Sequence, residues 1–224
     1  MLRPIGYPGR PWDDRLPCFI GSVLAEEADL TMMTSDYCSS ISEAVHAING
    51  SLSLPMVLHR VTETTAHAMH ARACSIRLLN TVDRTLAISG AYGLSDRYLS
   101  KGPVRVDKSE IDRQALRGEV VYVPDVGHDS RMQYPRQAAE EGIHSMLVIP
   151  LVARGSPIGV LRVYTSEARR FEQHEIDFLR VIADLGAIAI ANARTYETLQ
   201  RELQIARRHE SVRTAREPVG ARSA

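Results

Sequence analysis

Apolar residues Ile41, Val45, Ile48 and Leu52 recur at alternating spacings of four and three, the repeat of one helical face. Helical character begins near Glu26 and is interrupted by Asn49, Gly50 and Pro55. Pro55 suits the first position of a second helix, where a missing N–H is harmless, with Ser53 near its N-cap. That helix carries Leu58, Val61, Thr65, Ala68 and Met69 and is expected to end near Ala71. The period then switches to two. Over 73–80, Cys74, Ile76 and Leu78 alternate with Ser75 and Arg77, which predicts a strand with one buried face. A second strand over 85–92 folds back across 81–84.

A polar connector leads through Gly93 and Pro103 to a short strand at 104–106. A helix follows, with Ser109 as N-cap, Asp112 as a capping-box acid and Gly118 as the stop. The run 120–126 reads as another strand, and 133–141 as a short helix ended by Gly142. Residues 145–154 and 158–166 are almost continuously apolar around a turn at 155–157, as central strands covered on both faces are. A long helix runs from Phe171 to at least Ala206. An α+β fold is the economical solution, with terminal helices on one face of an antiparallel sheet.

Both ends lack periodicity. Pro4, Pro8, Pro11 and Pro17 make the first stretch an irregular arm, and the tail beyond about Arg207 is expected to fray. The 27 basic and 27 acidic residues cancel, so charge points to neither nucleic acid nor an anionic membrane. Arginine supplies all the basic residues but Lys101 and Lys108, and it is scattered rather than clustered. Cys18, Cys38 and Cys74 form no metal-binding or C-x-x-C spacing. No leader and no membrane-length apolar run is present, which makes the cytoplasm the default location. Phosphate-loop, dinucleotide, zinc-protease and nucleophile-elbow motifs are absent, and the histidines do not cluster.

Three blocks in order carry a family likeness. Residues 147–197 contain the apolar hairpin, a Phe-x-x-x-Glu start at Phe171 and Glu175, and an Ala-rich helix leading to Asn192 and Tyr196. Residues 121–132 (VYVPDVGHDSRM) and 52–80 supply the middle segment and the opening helix with its strand. Together they resemble a GAF domain. The resemblance implies a GAF/PAS-like antiparallel sheet of about six strands, with N- and C-terminal helices packed on one face. Short helices and loops would cover the other face and enclose a small-molecule cavity. The chain then divides into an arm over 1–25, a leading dimerisation helix over 26–51, a GAF domain over 52–197, and a helical extension with a disordered tail over 198–224.

By analogy of position, Tyr92, Met132, Tyr134, His144 and Met146 are candidate pocket residues, with Val123 and Asp125 beside them. Met and Tyr are equally common as core filler, and Asp125 and Asp129, with Arg131, suit loop architecture as well as a ligand anchor. No cofactor is specified. The Cys-His pair of tetrapyrrole-binding relatives is missing, and only His128 and His144 are placed to serve as a haem axial ligand. On the last helix, Phe178, Ile182, Leu185, Ala189, Asn192, Tyr196, Leu199 and Leu203 keep a heptad seam. A second stripe, from Ile176 through Leu179, Ala183, Gly186 and Ile190 to Ala193, is left to cover the sheet. With Ile41, Val45 and Ile48, the seam predicts a homodimer. The expected function is a non-enzymatic, bacterial-type sensor that binds an unknown small molecule and signals to a separate protein. The alternatives are a reductase of free methionine sulfoxide working through Cys74, and a structural dimerisation adaptor.

Overall fold

The computed structural model describes residues 36–48, 50 and 53–216, with side chains as far as 208. The expected arm, the start of the leading helix, Leu52 and the last eight residues fall outside these. Residues 36–48 form helix α1, and Leu54–Ala68 forms α2, with Ser53 at its N-cap and Pro55 in its first turn. β1 (Ala73–Asn80) and β2 (Thr85–Tyr92) make the first hairpin. α3 (Asp96–Leu99), β3 (Val104–Arg105), α4 (Glu110–Ala115), β4 (Val121–Val123) and α5 (Pro135–Glu140) form the variable middle. β5 (Ser145–Ala153) and β6 (Ser156–Thr165) make the second hairpin, and α6 (Gln173–Arg216) closes the chain. The expected turn at 155–157 is tighter: Arg154 and Gly155 alone form it, at φ 52° and 75°. Two positive φ values match the strand twist of a tight hairpin.

The six strands form one antiparallel sheet in the order β3-β2-β1-β6-β5-β4. β1 and β6 are therefore central, and the alternation along each strand defines two layers. On one side Cys74, Ile76, Leu147, Ile149, Leu151, Leu161 and Val163 are buried, and α2 and α6 pack on this sheet and on each other. α2 reaches β2 through Gly90, where an added Cβ would lie 2.7 Å from Leu58 Cβ. On the other side Leu86, Val104, Ile111, Val123, Met146, Val148, Val160 and Tyr164 form an apolar cluster under the middle segment.

The start of α6 explains its sequence signature. Glu175 accepts the Glu172 backbone N–H at 2.8 Å and pairs with Arg169, whose Nη1 donates to Met69 O at 2.7 Å. Phe171 meets the Tyr122 ring edge-on at 6.0 Å. The helix entrance is thereby tied to β4 and to the end of α2.

Two expectations change. β1 was expected to bury one face, yet Ser75 and Arg77 on its other face are also 0% exposed, because the middle segment covers that side. Asp112 was expected to cap its own helix. Ser109 does cap α4 through the Asp112 N–H, but the Ser109 N–H goes to Val106 O and the Asp112 carboxylate turns to Arg162.

Candidate functional site

The face of the sheet under the middle segment is apolar at its margins and charged at its centre. Across β1 and β6, Ala73 faces Tyr164, Ser75 faces Arg162 and Arg77 faces Val160. Arg77 and Arg162 are therefore diagonal neighbours on one face, within side-chain reach. Both are buried, Arg77 completely. Arg162 donates to Asp112 Oδ1. Among the described residues no acceptor reaches Nε, Nη1 or Nη2 of Arg77, nor Nε of Arg162, and Asp112 Oδ2 has no donor. A guanidinium removed from water without a partner costs several kcal/mol after relaxation. Such a pair on a sheet floor is a feature no apolar core requires.

Above this floor lies a narrow hollow of about 10 Å³, roughly the room of one water molecule. Tyr98, Lys101, Asp112, Met132, Tyr134, Met146 and Arg162 are among its walls. Lys101 Nζ sits 3.1 Å from the centre of the Tyr98 ring and 5.8 Å from that of Tyr134. Nζ is buried with no hydrogen-bond acceptor among the described residues. Burial first, then repulsion from Arg77 and Arg162, pushes the Lys101 pKa down to about 6, while Glu141 and Asp112 pull weakly the other way. Burial also opposes the charge of Arg162, but Asp112 and then Tyr164 outweigh it and hold the guanidinium protonated. Burial, then the neighbouring Tyr164, raises the Tyr98 phenol well above its ordinary value. Tyr164 OH is 2.9 Å from Ser75 Oγ and meets the Tyr98 ring edge-on at 6.3 Å.

Three of the pocket residues expected from sequence, Met132, Tyr134 and Met146, line this hollow. Val123 lies in the apolar cluster around it. The other three lie elsewhere. Tyr92 turns to α2 and packs on His67 and His59, with ring centres 5.1 and 6.4 Å away. Asp125 shapes its loop, accepting the Gly127 N–H at 3.0 Å and facing His128 Nδ1 at 2.9 Å. His144 is exposed and contributes its backbone N–H to Thr165 O. Asp129 is likewise used locally, in a two-pronged pair with Arg131 whose shortest contact is 2.6 Å.

Sequence reasoning missed Arg77, Lys101, Asp112 and Arg162. A signal was present: Arg162 interrupts a strand that reads as covered on both faces, so its charge had to be buried. Lys101 is one of only two lysines. Cys74, by contrast, is fully buried on the opposite, helix-bearing face of β1, where burial pushes its thiol far above the ordinary range. Among the described residues no group of His, Cys, Asp and Glu is arranged to hold a metal ion. No helix there is long and apolar enough to cross a membrane.

On α6, Phe178, Ile182 and Ala189 are buried within the chain itself. The row facing outward is displaced from the expected seam at its start and coincides with it later. It runs Val181, Leu185, Ile188, Asn192, Tyr196, Leu199 and Leu203, of which Val181, Ile188, Tyr196, Leu199 and Leu203 are the exposed large hydrophobic residues. Ile41, Val45 and Ile48 of α1 are half-buried.

Known proteins place this architecture. The formate hydrogenlyase transcriptional activators of two Salmonella typhimurium strains are each 24% identical over 213 residues, covering 86% of this chain. The chain spans only 31% of the length of these relatives. The GAF domain of a phosphoenolpyruvate-protein phosphotransferase from Coxiella burnetii is similar in fold, with a TM-score of 0.65 at 22% identity, over 73% of this chain and 98% of that one. The free methionine-R-sulfoxide reductase of Neisseria meningitidis also shares the fold, with a TM-score of 0.61 at 17% identity, over 71% of this chain and 91% of that one. The family model for the GAF domain matches residues 53–190. With that match over more than half its length, the chain belongs to the GAF domain family.

Proposed function

We propose that this chain is a regulatory binding module. It holds a small molecule in the hollow over β1 and β6, does not transform it, and passes its presence through paired α6 helices to a separate protein. The observation that carries this reading is the position of charge and helix on opposite sides of the same strands. Arg77 lies on the face of β1 below the hollow, diagonal to Arg162, while its neighbour Ile76 is on the opposite face and lies 3.9 Å from the Cβ position of Gly186 on α6. Leu151 of β5 is 3.7 Å from the same point. A shift of β1 on ligand binding is therefore felt by α6 across one layer of side chains. A ligand can exploit this only by binding two helix arrangements unequally.

The exposed apolar row on α6 continues beyond the matched domain, and rows of that kind usually find a partner. A homodimer through α6, with α1 alongside, is the simplest occupant. Two further observations favour binding over the alternatives. A reductase would need Cys74 as an accessible thiolate, and it is buried away from the hollow. A structural adaptor would be more stable with apolar filler in place of Arg77 and Arg162.

Native mass spectrometry of the freshly purified full chain tests both halves together. The expected spectrum shows a dimer carrying a small-molecule adduct. A bare monomer near 24.9 kDa at tens of micromolar, with no adduct from any metabolite pool offered, overturns the reading.

A further inference from the structure

We infer that the hollow is a receptor for a small oxoanion, a carboxylate or phosphate-type group with one or two negative charges, which neutralises Arg77 and Arg162 while Lys101 closes over it. This deepens the binding role proposed above and rests on it. Arg77 is completely buried and three of its nitrogen atoms lack an acceptor among the described residues. Lys101 Nζ is in the same condition. Among the described residues the neighbouring carboxylates do not make up the difference. Asp112 gives one oxygen to Arg162, and Glu141 is held by the backbone N–H and hydroxyl of Ser95.

Two guanidinium groups, and a Lys101 amine that a bound anion would protonate, thus face one free carboxylate oxygen. A cation would be repelled. A neutral guest would supply acceptors but leave the charge uncompensated. An oxoanion supplies both, because its paired oxygens match the fork of a guanidinium. The hollow holds about 10 Å³, roughly one water, so the guest is small and enters only as the side chains above the arginines, Lys101 among them, draw back. Lys101 Nζ is buried beside the Tyr98 and Tyr134 rings, and burial of that kind strengthens a contact to an anion.

The test uses the full chain at pH 7, with thermal unfolding and titration calorimetry in sodium acetate, sodium malonate or sodium phosphate against sodium chloride of equal ionic strength. The first two arms report carboxylates and the third a phosphate source. At least one should raise the Tm saturably beyond chloride. Arg77→Met should abolish that rise and should itself raise the Tm in chloride buffer, since it removes an unpaired buried charge. A purely structural Arg77 would lower the Tm in every buffer. Lys101→Met should weaken binding by about tenfold or more, the scale of one hydrogen bond to a charged group. If Arg77→Met does not fold, the Lys101→Met affinity decides.

The inference is overturned if no anion exceeds chloride, or if the folded Arg77→Met or Lys101→Met chain binds as before. Should the anions fail while native mass spectrometry finds a neutral adduct, this inference falls and the binding role stands. Should both fail, the binding role falls as well.

Discussion

Lys101 follows the short α3 helix and leans over the ring of Tyr98, where a charge is hard to keep. The charged and aromatic groups around its amino group are Arg77 on β1, Arg162 on β6, Asp112 on α4, Glu141 after α5, and the rings of Tyr98 and Tyr134. Its pKa falls from 10.5 to about 6, first through burial and then through the two arginines. Between those values the unfolded chain holds a proton that the folded chain lacks, so folding releases one. Stability must then rise with pH through that window and be flat below about 6, as far as this group is concerned. The slope for one proton is at most about 1.4 kcal/mol per pH unit. Urea unfolding at several pH values between 6 and 9 should show this rise, and Lys101→Met should remove it and leave the chain more stable near the acid end. A variant with the same slope as the parent would show that Lys101 stays protonated in the folded chain. An anion bound beside the ammonium would restore its proton, so binding should take up a proton near neutral pH.

At the scale of elements, the floor of the hollow depends on how closely β1 and β6 approach. Gly159 opens the contact: a Cβ there would lie 2.2 Å from Arg77 O and 3.2 Å from Leu78 Cα. Backbone cannot yield as a side-chain tip can. Gly159→Ala is expected to lower stability by about 1–3 kcal/mol, the range for overpacking a filled interior. It should also shift the strand that carries Arg77. A urea midpoint unchanged from the parent would mean that the two strands separate freely at this end. The glycine was legible as a type, since glycine inside a strand often marks close backbone approach. The elements themselves were legible because burial imposes period. β1 and β2 lie where alternation placed them, Ser53 opens α2, and Ser109 opens α4. The hollow was not legible in the same way. Alternation of Cys74, Ile76 and Leu78 with Ser75 and Arg77 reads as one dry and one wet face, and only the middle segment folding over the sheet makes both dry. Asp112 likewise fits a local capping pattern until Arg162, fifty residues later, draws it away. Both errors have one physical source: a long-range partner changed the meaning of a local pattern.

At the scale of the whole molecule, the surroundings of α6 change near Ile190. Up to that point it is held against the chain's own core, with Leu179, Ala183, Ala187 and Ile190 at most 1% exposed. Past it, Leu199 and Leu203 remain 54% and 52% exposed. Replacing both with glutamate should therefore leave the domain folded, lower its urea midpoint only by the stabilisation that association lent, and convert a dimer to a monomer near 24.9 kDa by light scattering. Asn192 in the outward row would fix the register of the pair, as a polar seam residue does at some loss of stability. Because β1 lies between the hollow and Gly186, ligand and association should be linked. Typical couplings between sites correspond to about 5- to 150-fold in affinity. The parent chain should then bind its ligand with an affinity that depends on protein concentration, while the Leu199→Glu, Leu203→Glu chain binds with a constant one. Linkage is reciprocal, so ligand should shift the dimer dissociation constant by the same factor. If the double variant stays dimeric, pairing runs through another surface. If it becomes monomeric but ligand never altered the parent's association, β1 does not transmit to α6, and the hollow and the helix act separately.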